Sequence, residues 1–204
     1  MMELIRRTDD DVRGRPCRVL SRRRRIPVRA SRVVGVPAGT AALQVQLAKR
    51  TDGGMVLRCT RADGSVTWQR QEGAQAAFFP LHDLTHFAVE TTRGFAPGFF
   101  GLIADGWEIL ETTGKGARGA LPAEALLVEH LVGFLDAERA SGDAWSAAEY
   151  ASQLANRGAV DAGLAPAWLT DDALNRVRAR RRELFAAWRA VAPGYALELT
   201  FAPG

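Results

Sequence analysis

Two cysteines in 204 residues cannot staple a fold. Cys17 sits in an arginine-rich start and Cys59 in a strand-like stretch. Both are read as reduced thiols, which points to a cytoplasmic setting. No apolar run is long enough to cross a bilayer. Arginines open the chain, but no apolar segment follows them as a secretory leader requires. The spacing GxxxxGK[ST] is missing around Gly114-Lys115-Gly116, which argues against a nucleotide loop there. No Gly-x-Ser-x-Gly frame surrounds Ser146 or Ser152, so no serine nucleophile is indicated.

Histidine is scarce as well: the chain has 3. Two of them, His82 and His86, are four residues apart in Pro80-Leu81-His82-Asp83-Leu84-Thr85-His86-Phe87-Ala88-Val89-Glu90. On a helix that spacing sets both imidazoles on one face, a turn apart.

The basic character is local. Residues 1–35 hold 11 of the 27 Lys and Arg and 4 of the 23 Asp and Glu, a balance of +7, leaving −3 for the rest. Residues 1–35 read as a disordered basic tail, because Arg22 to Arg25 repel one another and no apolar period persists. Residues 36–204 read as one α+β domain.

Within it, Leu43, Val45 and Leu47 alternate with polar or small residues, as a half-buried strand does. Turn residues at 52–54 and 62–65 separate two more alternating runs, the last Val66–Gln71 with Trp68 on its apolar side. That is a three-stranded antiparallel meander. Tyr195, Leu197, Leu199 and Phe201 alternate as a C-terminal strand that joins it. About five helices are predicted to cover this small sheet, over roughly 80–93, 98–112, 122–139, 145–157 and 171–191. Pro80 is placed in the first turn of the first helix, where its missing N–H is harmless. The third helix is apolar nearly all round, with Glu129 and Asp136 on a narrow charged edge and His130 among its apolar residues.

The histidine pair suggests a divalent-metal clamp, since imidazoles on successive turns can reach one ion at about 2 Å. His130 is the first choice for a third ligand and Glu90 the rival. Asp83 is the candidate catalytic residue, as a base toward bound water or as a carboxylate orienting a histidine. The pattern resembles the HExxH helix of the zincin metalloproteases. It differs in carrying Asp83 for Glu and in lacking the downstream ligand spacing, so protease activity is not inferred. The segments PLHDLTHFAVE and GFFGLIADGWEI also resemble uncharacterised bacterial proteins sharing an HDLxHxxVE core, a resemblance that implies no activity.

The expected function is a domain binding a divalent metal, zinc among the candidates, with hydrolysis of a small molecule as a reaction class. The alternative is a structural or protein-binding module without chemistry. Arg176, Arg178, Arg180, Arg182 and Arg189 on the last helix offer a third class, nucleic-acid contact. That class is disfavoured, because the helix's aromatics lie on its apolar side and the body is net acidic.

Overall fold

The computed structural model describes residues 42–114, 118–159 and 166–202. The basic segment 1–35 and Cys17 lie outside the described residues, as does Lys115-Gly116.

Four strands form one antiparallel sheet in the order β3-β2-β1-β4: β1 Leu43–Lys49, β2 Met55–Thr60, β3 Val66–Gln71 and β4 Ala196–Phe201. β1 lies at its centre, with Val45 opposite Cys59 of β2 and Leu199 of β4. In β1, β2 and β4 every second residue is buried. Leu43, Leu47, Leu57, Cys59, Leu199 and Phe201 point to one side, while Gln44, Arg58, Glu198 and Thr200 point to solvent. The α+β expectation and the meander with its added C-terminal strand therefore hold.

The register corrects one detail. Cys59 pairs with Thr67, so Thr67 faces the core, and Trp68 opposite Arg58 is 55% exposed on the outer face. In Val66–Gln71 the apolar residues had the wrong parity, and a one-residue shift exchanges the two faces.

Among the described residues there are five helices: α1 Gly73–Arg93, α2 Phe99–Ala104, α3 Ala123–Ser141, α4 Ala147–Asn156 and α5 Asp171–Ala190; α1 and α2 make the main helix contacts with the sheet, α3 and α5 pack on α1, and α4 packs on α3. A 3-10 turn, Glu111–Thr113, follows α2. The first helix begins seven residues earlier than expected, with Pro80 inside it. Proline cannot donate to the carbonyl four residues back, here Ala76, so the helix gives up one ladder bond there. The second helix is shorter than expected. Asp105 caps it, and Gly106 adopts a φ of 91° that ends the α conformation. Ser146 and Glu149 form a capping box that starts α4, and Thr170 caps α5 through the N–H of Ala173.

Helix α1 is central. It packs against α3, α5 and α2 and against β2 and β3. From Asp83 to Glu90 every residue is buried, including all its polar groups. The hydroxyl of Thr85 is satisfied by donating to the carbonyl of Leu81. Beside this layer, Glu138 of α3 receives Arg178 of α5 in a buried ion pair. The same carboxylate accepts the N–H of Trp145, and Arg178 also donates to the carbonyl of Trp145. Arg176 pairs with Asp172 and Arg180 with Glu183. So Arg178 ties helices together and is not offered to a phosphate backbone, which weakens the nucleic-acid alternative. Among the described residues, no helix is long and apolar enough to cross a membrane.

Candidate metal centre

His82 and His86 project from α1 toward α3, their ring centroids 4.9 Å apart and nearly perpendicular at 77°. Helix α3 sets two carboxylates against them. Asp136 Oδ2 lies 2.8 Å from His82 Nδ1, and Glu129 Oε1 lies 3.5 Å from His86 Nε2. Glu129 and Asp136 are seven residues apart on α3, two turns, and so share one face. That face is the charged edge seen in the sequence; on an otherwise apolar helix it meets the polar side of α1.

One ligand atom each from His82, His86 and Glu129 falls within 4.8 Å of the others, so this group could hold a metal ion. Two ligands bound at about 2.0–2.1 Å in a tetrahedron are about 3.3–3.4 Å apart. The 3.5 Å between His86 Nε2 and Glu129 Oε1 is close to that edge and long for a direct hydrogen bond. Each histidine also has its Nδ1 facing a carboxylate: Asp136 for His82, and Glu90 Oε1 at 3.4 Å for His86. Carboxylates behind metal-binding histidines fix the tautomer and ring angle in this way.

Burial grades across the group. His86 and Glu90 are sealed at 1% exposure, whereas the side chains of His82 and Glu129 are 21% and 39% exposed. Phe78 stacks on His82 at 5.4 Å and Phe99 packs on His86 at 5.2 Å, so aromatic rings wall the histidines. The site is thus closed at its base and open toward solvent at Glu129.

Electrostatics follow from this grading. Burial disfavours a charged His86, but Glu129 and Glu90 on either side outweigh it and push the imidazole up to about 10. Burial also opposes ionisation of Glu129, yet the neighbouring His86 holds its carboxyl below the usual value. Asp83 is 2% exposed and its Oδ2 has no hydrogen-bond partner among the described residues. Burial, aided by Glu129 and Asp136 and opposed by His86, pushes its carboxyl up to about 7.

The remaining expected site residues separate. His130 does not join the cluster. It is half-buried on another side of α3, stacked against Phe134 at 6.4 Å, and its imidazole is lowered by burial and by Arg157. The wheel placed it correctly beside Phe134, but that side faces away from the histidine pair. Glu90 contacts His86, yet it is outside the three-ligand group, and its other oxygen accepts the N–H groups of Phe100 and Gly101. Asp83 stands on α1 next to the cluster without contributing a ligand atom to it. Glu129 was the residue that counting histidines passed over.

No protein-family model, curated protein or solved structure matches this chain. Cys59 is a buried free thiol pushed up to about 12 by burial, with no sign of nucleophilic activation.

Proposed function

We propose that this domain binds one divalent metal ion through His82, His86 and Glu129. The observation that carries the reading is the convergence of these three side chains, with a carboxylate behind each imidazole. Two nitrogens and one oxygen suit zinc, and three protein ligands leave a fourth position for water or substrate. The open side at Glu129 favours such a position over a sealed structural site. Hydrolysis of a small molecule is the reaction class this donor set best supports, since a bound ion of this kind acidifies water and polarises carbonyl or phosphoryl oxygens. Asp83, next to His82 on α1, is the carboxylate assigned as proton acceptor; burial raises it above the usual carboxylate range.

A second reading has its own support. His86 lies between Glu90 and Glu129, and a protonated ring there would form a buried ionic staple between α1 and α3 with no metal. Elemental analysis of protein purified without an affinity tag separates the two. The metal reading expects near-stoichiometric Zn, Mn, Fe or Ni, absent in His86→Ala and reduced in Glu129→Gln. A metal-free protein whose thermal midpoint ignores added metal would leave the ionic staple as the function of the cluster.

A further inference from the structure

We propose that the outer face of the sheet binds single-stranded nucleic acid. The exposed indole of Trp68 stacks on a base, and the guanidinium of Arg58 beside it takes a phosphate. This surface is independent of the metal centre.

Strand alternation leaves one side of the sheet uncovered among the described residues. On that side Gln44, Arg58, Trp68, Arg70, Glu198 and Thr200 are all exposed. Trp68 is the member that water favours least, and it is 55% exposed. The other four tryptophans each have a cation or a ring against them. Lys49 lies on Trp188, Arg118 on Trp107, Phe95 on Trp168 and Phe134 on Trp145. Trp68 has neither among the described residues.

Across the ladder, Arg58 is the Cα partner of Trp68 and is exposed as well. Directly opposite residues share a face, with Cβ atoms about 4.5–5.5 Å apart. Arg58 has no hydrogen bond or ion pair among the described residues. Arg70 on the same face is held by Asp52 and Glu72. Among the described outward strand residues the one acid is Glu198, on β4. It lies three strands from Trp68, about 14 Å, and faces the Gln46 amide. The free charge beside the indole is thus positive, although residues 36–204 are net acidic. Residues 1–35, with their balance of +7, precede β1 in the chain, so further positive charge is tethered to this sheet.

This chemistry selects its occupant. A π surface beside an unpaired guanidinium suits a planar base joined to a phosphate. Gln44 and Thr60, paired one row along, add amide and hydroxyl groups for base edges. A neutral sugar would stack on the ring but leave Arg58 unused. A protein partner needs a wider apolar centre than one indole. The basic segment 1–35 is a poor cover, since it would meet like charge. A duplex is disfavoured, because its bases are already stacked and paired. The reasons that count against α5, paired arginines and inward aromatics, do not hold on this face.

The test is fluorescence anisotropy of labelled single-stranded DNA about ten nucleotides long, titrated with the full chain over a range of salt, beside the same DNA as duplex. Wild type is expected to bind the single strand, and more tightly than the duplex. Trp68→Ser should weaken single-strand binding about 5- to 100-fold. Tryptophan emission should be quenched by the bound strand in wild type and not in Trp68→Ser. Arg58→Gln should weaken binding and lower the salt slope by about 0.7. Absence of wild-type binding at low salt overturns the proposal. Undiminished binding by folded Trp68→Ser also overturns it, placing the contact in residues 1–35. A wild-type dimer that Trp68→Ser turns into a monomer in sedimentation would assign the face to a second copy and overturn it too. Should Trp68→Ser fail to fold, Arg58→Gln decides by the same criterion.

Discussion

Replacing Asp83 by Asn should stabilise the domain relative to wild type, and increasingly so as pH rises. Asp83 is buried, and one of its oxygens has no partner among the described residues. Burial lifts its carboxyl from 3.8 to about 7 in the fold. The folded state therefore holds the proton more tightly than the unfolded chain. That stabilisation is complete below about pH 4 and is lost as pH rises through about 7. A rise of this size corresponds to about 4 kcal/mol. It is an upper limit, because local relaxation and water entry soften the cost of a buried charge. Asn carries no charge at any pH, so Asp83→Asn escapes this loss. The assay is urea unfolding of both proteins at intervals from about pH 4 to 8.5, using the difference between them so that unrelated groups cancel. At a slope of about 2 kcal/mol/M, the full effect moves the midpoint difference by about 2 M across that range. A difference that stays flat with pH would show that Asp83 ionises normally and so has a partner, which would refute the reasoning.

Arg178→Met should cost about 3–5 kcal/mol in chemical denaturation, because it strands the Glu138 carboxylate in the core. Trp68→Ser should change stability by no more than about 0.5 kcal/mol, as expected of a residue on the solvent face of the sheet; a large loss would place the ring in the core. Metal affinity should climb with pH by about tenfold per unit through neutrality, since His86 is pushed up to about 10 and must lose a proton to coordinate. Calorimetry in buffers of different ionisation enthalpy should count about one proton released per ion, and none released would contradict this.

Much of the sheet was legible because its cues are local. Alternation in Leu43–Leu47 and Leu197–Phe201 and the turns at 52–54 and 62–65 state their own period. The error at Trp68 arose because β3 offers no clean alternation, and its face is set by pairing with β2. Pro80 misled for a related reason: proline marks a first turn on average, but a long helix with tertiary support tolerates one lost bond. At the site, the four-residue spacing of the histidines survived intact, since a helix enforces it. Their partner depended on how α1 and α3 are set against each other, which no local pattern encodes. The available signal was the lone charged edge of α3, where Glu129 and Asp136 had to face something polar. His130, chosen for its chemistry, sits on a side of α3 that packing turns elsewhere. Glu90 was correctly placed on the stripe with His86, but its bond to the start of α2 came from the fold.

The most direct measurement of the central claim is calorimetric titration of metal-free wild type, His86→Ala and Glu129→Gln with zinc at mildly alkaline pH. The account predicts one ion per wild-type chain, with binding abolished by His86→Ala and weakened at least about tenfold by Glu129→Gln. Wild-type protein that takes up no zinc, or variants that bind it as wild type does, would contradict it.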